Sequence, residues 1–230
     1  MNKGFAKRVL RLVDGYGVLD GAFCLRPAKH VISGIAIDNK GASERIYRYA
    51  LPLYDLILFL HLDYATLLPW PGNHGAERRS GISVQELAEL ILAEDGLTRN
   101  REEPSGFRVY LEELMQSMRS RGVAEPALVA YRFCLAATFA RTNDYPSAIT
   151  EIDSMLDLVE DGQPGLRRFV EAGATVPDDQ APYTQADIRQ VGEAISFRRK
   201  LKGGLSAANR FLDQREEKNR SIIDALWLEA

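Results

Sequence analysis

The sequence predicts an α+β fold: an N-terminal helix and a small antiparallel sheet, followed by a mostly α-helical region of six or seven helices. Three observations predict it. Apolar and β-branched residues alternate with period two between residues 22 and 51. The segment Pro69-Trp70-Pro71-Gly72-Asn73-His74-Gly75 can continue no regular element. From Ser83 onward, apolar residues recur at spacings of three and four between capping residues, glycines and prolines.

Taken in order, Phe5, Val9, Leu12 and Val13 predict a short helix over residues 3–14, ended by Asp14-Gly15. Gly15, Gly17 and Gly21 read as a turn-rich connection. They are not a dinucleotide-binding fingerprint, because Asp20 stands where the third glycine belongs and no strand precedes them. Residues 22–38 read as strand, with a break or a sheet edge near Pro27, and Asp38-Asn39-Lys40-Gly41 as a turn. Strand character resumes over residues 45–51, which makes a hairpin with a longer loop. Leu56-Ile57-Leu58-Phe59-Leu60 is apolar on both faces, so within residues 54–65 periodicity does not separate strand from helix; the neighbouring strands favour strand.

Ser83 and Glu86 form a capping box for a helix ending at Gly96, and the charged residues 97–105 should be an exposed connection. Phe107, Tyr110, Leu111, Leu114, Met115 and Met118 then give the clearest amphipathic stripe, stopped by Gly122. Further helices follow from Pro126, from Pro146 to Gly162, from Pro164, and from Thr184 with Asp187 in a second capping-box pattern. Gly203-Gly204 breaks the chain before a last helix over residues 205–228. Its polar middle, Asp213 to Ser221, should lie on the surface, and Ile222, Ile223, Leu226 and Trp227 form an apolar tail that must dock. The helix pair over residues 128–159, with Leu135, Ala136, Phe139, Asn143-Asp144-Tyr145 and Ala148, resembles a single tetratricopeptide hairpin. It departs from that pattern at Arg132 and Met155, and such units bury their faces by stacking at least three, so the resemblance implies only a helical hairpin. The organisation expected is a strand-rich part over residues 1–72 and a helical part over residues 80–230. No flexible linker separates them, so one shared core is compatible with the pattern.

Of 230 residues, 46 % are hydrophobic and 27 % charged, with a net charge of −3. That composition is globular and gives no basic excess for nucleic acid or an anionic membrane. The apolar stretch from Tyr49 to Leu68 is interrupted by Asp55, His61 and Asp63 and falls short of the ~20 residues a membrane helix needs. Two cysteines, Cys24 and Cys134, lie in apolar surroundings and read as reduced, buried thiols. A soluble, cytoplasmic protein without a cofactor is expected.

No G-x-S-x-G or G-x-x-x-x-G-K-[ST] motif is present, which argues against the commonest hydrolase and NTPase designs but not against an enzyme built from residues scattered in sequence. The pair His61 and Asp63, joined by His30 or His74, is the one combination with metal-site chemistry, two imidazoles and a carboxylate; no H-x-x-x-H spacing supports it. The loop from Trp70 to Arg79 carries Trp70, His74, Arg78 and Arg79, residue types that supply binding energy at interfaces, and Trp227 belongs with them on the apolar tail. The basic runs at Arg119 and Arg121, and at Arg198 to Lys202, suit helix C-termini and need no ligand. The expectation is a non-enzymatic protein-binding module, of adaptor, immunity/inhibitor or regulatory type, whose partner is another protein. The alternative is a hydrolase or metal-dependent enzyme with a site near His30, His61, Asp63 and His74. A homo-oligomer formed through the C-terminal helix is a third expectation.

Overall fold

The computed structural model describes residues 3–19, 21–40, 43–55, 64–68, 81–173 and 183–228. They form an α+β fold with a six-stranded antiparallel sheet. The chain divides into two compact units. One takes Met1–Leu53, Leu58–Phe107 and Glu216–Ala230; the other takes Tyr54–Ile57 and Arg108–Arg215.

In the first unit, helix α1 spans Lys3–Leu10, and the strands are β1 Tyr16–Leu19, β2 Ala22–Leu25, β3 Val31–Lys40, β4 Ser43–Pro52, β5 Ala65–Leu68 and β6 Trp227–Leu228. Their order in the sheet is β5-β4-β3-β2-β1-β6. Helix α2, Val84–Arg101, belongs to the same unit. Val9 and Val13 meet Val18, Phe23, Ile35 and Ile46 from the sheet and Leu87, Ala88 and Ile91 from α2 in one apolar core. Every residue from Val31 to Ala36 is buried, which is why β3 carries apolar residues at both parities rather than a clean alternation.

Several expectations change here. The first helix stops at Leu10, and Leu12 is exposed. The glycine-rich connection contains strand β1, because its glycines serve close packing: a Cβ on Gly17 would meet the Trp227 ring at 3.0 Å. The strand expected over residues 22–38 is broken between Leu25 and Val31. Pro27 does mark that break, after a cis Arg26–Pro27 peptide. The β3–β4 register runs from Val31↔Pro52 to Lys40↔Ser43, so the strands continue through the expected turn and the hairpin is tighter than predicted. The Leu56–Leu60 run lies outside the described residues.

Helix α2 is capped as predicted: the Ser83 hydroxyl accepts from Glu86 N–H, and the Glu86 carboxylate accepts from Ser83 N–H. It then runs through Gly96 to Arg101. The residues past Gly96 are not an exposed connection, because Thr98, Arg101 and Glu102 are buried and Asp95 and Arg99 pair one turn apart.

The second unit is helical. Most of α3, Pro104–Ser120, is followed by a 3-10 turn at Glu125–Leu128, then α4 Val129–Arg141, α5 Tyr145–Gly162, α6 Leu166–Glu171, α7 Gln185–Lys202 and the first half of α8, Leu205–Asp224. From α2 on, seven α-helices lie among the described residues, within the expected six or seven. The α4–α5 hairpin turns at Asn143, which adopts a left-handed φ of 62°, and Asp144 caps α5 by accepting from Ser147 N–H. Ala136 and Ala148 are fully buried on this hairpin. Phe133, Phe197 and Phe211 form a chain of rings with centroids 5.8 and 5.4 Å apart.

The end of the chain departs most from expectation. Helix stops at Asp224, and Trp227–Leu228 return as edge strand β6, with Leu19 opposite Trp227. The polar middle of α8 is not all on the surface: Glu216 and Asn219 are buried, and Asn219 donates to the Leu53 carbonyl at 2.7 Å. These two are polar because they have buried backbone and side-chain partners, while Asp213, Gln214, Glu217 and Lys218 face water.

Candidate functional site

Of the residues singled out from the sequence, His61, Asp63, Trp70, His74, Arg78 and Arg79 lie outside the described residues. His30 and Trp227 are described, both in the sheet unit. Trp227 packs against Gly17, with the Arg26 guanidinium 5.5 Å from its ring centroid.

His30 ends the loop between β2 and β3, and its carbonyl accepts from Leu53 N–H at 2.9 Å. Its Nδ1 stands 3.1 Å from both carboxylate oxygens of Glu216. The imidazole is 44 % exposed and the Glu216 side chain 12 %. Arg220, one turn further along α8, donates to Glu216 Oε1 at 2.9 Å, to the Ala28 carbonyl at 2.6 Å and to the Lys29 carbonyl. With a carboxylate as acceptor, Nδ1 carries the proton, and in the neutral ring Nε2 carries the lone pair. This is an oriented imidazole, the arrangement that serves proton transfer or metal ligation. Among the described residues no three His, Cys, Asp or Glu side chains gather as metal ligands. Lys29 pairs with Glu103 at 2.9 Å beside this loop, and burial pushes the neighbouring Glu102 carboxyl above its usual range. Glu216 and Arg220 were readable as an i,i+4 pair, but nothing in the sequence ties them to a histidine far up the chain.

The helical unit holds a cleft of about 280 Å³. Pro126 of the 3-10 turn, Val129 of α4, Leu158 and Val159 of α5, Leu166 of α6 and Val191 of α7 give its apolar walls; Gln163, Asp187 and Gln190 are its polar groups. Local rules build it. Thr184 caps α7 by accepting from Asp187 N–H, and its hydroxyl donates back to Asp187 Oδ2 at 2.7 Å, so only one half of the predicted capping box forms. Gln163 follows the end of α5 and donates from Nε2 to Asp187 Oδ2 at 3.2 Å. Its Oε1 is buried and accepts no hydrogen bond among the described residues. Each wall residue was legible as a helix position; that these helices leave a gap was not.

Both cysteines are buried, and burial raises the Cys24 thiol pKa, so a thiolate nucleophile is disfavoured there. Arg119 bonds Glu125, and Arg198 bonds Asp153, so both basic helix ends hold carboxylates of the same unit. No helix among the described residues is long and apolar enough to cross a membrane. No family model, curated protein or solved structure matches the chain.

Proposed function

We propose that this chain is a non-enzymatic protein-binding module, of adaptor, inhibitor or regulatory type, and that its recognition element is the cleft of the helical unit. The observation that carries the reading is the cleft's make-up: about 280 Å³, apolar walls drawn from five helical segments, and a few polar groups in the lining. That is the pattern of a side-chain-binding pocket, with area for affinity and fixed polar groups for orientation. The test is panning of a random peptide library on the full chain, counter-selected on Gln190→Trp. Gln190 is half-buried and lines the cleft, so the larger ring fills the space without replacing a core residue. Peptides that bind the native protein and are lost on the variant are expected. A library that yields none ends the reading.

The oriented imidazole supports a second reading, metal-dependent or hydrolytic chemistry at His30. Calorimetric titration with Zn²⁺ tests its metal form: saturable binding lost in His30→Gln is required, and no heat removes it.

A further inference from the structure

We infer that the cleft selects a cationic side chain, a lysine or arginine of the partner, lying stem-first along the apolar walls with its charged head at Asp187. The inference rests on the binding reading above and names the chemistry of the occupant.

The polar lining of the cleft is Gln163, Asp187 and Gln190. Asp187 is the ionised residue among those lining it. Its Oδ2 is occupied by Thr184 Oγ1–H and Gln163 Nε2–H, and its Oδ1 accepts no hydrogen bond among the described residues. Gln163 Oε1 also lacks a donor among the described residues, but it is buried and closed to a ligand in the cleft. Its orientation is fixed, because a flipped amide would set its oxygen against the Asp187 carboxylate. A second carboxylate, Glu160, is not among the lining residues; it accepts from Gly165 N–H through Oε1, and its buried Oε2 accepts nothing among the described residues.

The Asp187 oxygen that accepts no hydrogen bond among the described residues is a charged acceptor in the cleft lining, and a cationic donor brought to it forms a charge-assisted hydrogen bond. An anionic group would meet Asp187 at close range. A purely aliphatic group would fill the walls and leave that acceptor unmet. A lysine or arginine satisfies both ends: its methylene stem covers apolar surface while its head supplies three or more N–H donors and a positive charge. A space of about 280 Å³ has room for one such side chain with its backbone at the mouth.

The experiment is titration of the full, methyl-labelled chain with Nα-acetyl-lysine methylamide, Nα-acetyl-arginine methylamide and Nα-acetyl-norleucine methylamide, with the glutamate analogue as control. The Val129, Leu158, Val159 and Val191 methyl resonances are the readout. The lysine or arginine amide is expected to shift them with a dissociation constant at least tenfold below that of norleucine, and the glutamate amide not to shift them. Asp187→Asn should shrink the tenfold gap to less than twofold. The comparison of lysine with norleucine uses the unaltered protein, so it stands even if the variant loses its helix cap. Norleucine binding as well as lysine overturns the charge selection and leaves the binding reading in place. No methyl shift with any probe overturns both.

Discussion

The two units differ in how deeply they hold particular charges. In the sheet unit Arg101, Glu102 and Glu216 go inside, while Lys29–Glu103 stays in water. Arg48 grips Glu94 through two hydrogen bonds of 2.7 and 2.9 Å, and Arg101, 4 % exposed, stands 3.7 Å from the same carboxylate. Glu216 and Asn219 are buried against His30, just before β3, and Leu53, just after β4. In the helical unit the interior is aromatic and aliphatic, and the ion pairs, Arg119–Glu125–Arg132–Glu151 and Arg198–Asp153, remain partly in water. Similar-looking contacts therefore have different consequences. Screened pairs contribute ~0–1 kcal/mol, whereas removing one partner of a buried pair strands a charge at ~3–5 kcal/mol. In the sheet unit Arg48 ties β4 to α2; in the helical unit Arg198–Asp153 ties α7 to α5 beside apolar packing.

The sharpest way to break this comparison is through backbone closeness. A Cβ on Gly34 of β3 would stand 1.9 Å from the Phe23 carbonyl oxygen and 2.7 Å from Cys24 Cα, both backbone atoms of β2. No side chain can yield there, so the β2–β3 pairing must open. Gly34→Ala is expected to destabilise the protein by about 3–5 kcal/mol in urea titrations followed by circular dichroism. Gly192, in the middle of α7, meets only Val170 Cγ1 at 3.5 Å, an ordinary contact. Gly192→Ala should stabilise by about 0.5–1 kcal/mol through helix propensity. Equal and opposite small effects at the two glycines would show that the sheet tolerates what its geometry forbids.

The next test exchanges one carboxylate for an amide in each unit. Glu94→Gln removes the charge that Arg48 grips and that the buried Arg101 faces at 3.7 Å, and should cost about 3 kcal/mol. Asp153→Asn removes the partner of Arg198, whose side chain is 26 % exposed, and should cost less than about 1 kcal/mol. If the two losses prove alike, the distinction between buried and screened networks fails.

The same contrast explains what could be read from the sequence. The helical unit was largely legible because its rules are local: Asp144 and Thr184 cap, Gly162 ends a helix, and Gly204 takes a left-handed φ of 99° at the break. The β3–β4 hairpin was legible for the same reason. The glycines of β1 hid a strand because what they accommodate, Trp227, arrives from the other end of the chain. The polar stretch of α8 looked like a solvated face because its partners, His30, Ala28, Lys29 and Leu53, are likewise remote. The cleft was illegible for a third reason: each wall residue fits a helix stripe, and a void is a property of how stripes meet. Only Asp187 and Gln163, polar residues at helix ends, hinted that one face was not closed by apolar packing.

The finest discrimination is in pH dependence, where Glu102 and Glu125 should act with opposite sign. In the helical unit, hydrogen bonds from Arg119 and then Arg132 hold the Glu125 carboxyl down at about 2. Its folded value lies below the unfolded one, ~4.3, so its stabilisation is fully present above that pH and is lost as pH falls toward 2. Because the Glu125 side chain is 38 % exposed, screening limits the effect to below about 1 kcal/mol. In the sheet unit, burial raises the Glu102 carboxyl, although the Lys29 charge and amide draw it back. There the folded value lies above the unfolded one, so the contribution is fully present below ~4.3 and is lost as pH rises through the folded value. Glu125→Gln should therefore lower the melting temperature at pH 7 and converge with the native protein near pH 2. Glu102→Gln keeps an oxygen for the Lys29 amide and removes the buried charge, so it should raise the melting temperature at pH 7 and lose that advantage below pH 4. A Glu102→Gln protein that melts lower at pH 7 would mean that Lys29 outweighs burial, and the sheet unit's interior charges would then be ordinary ion pairs rather than burial penalties.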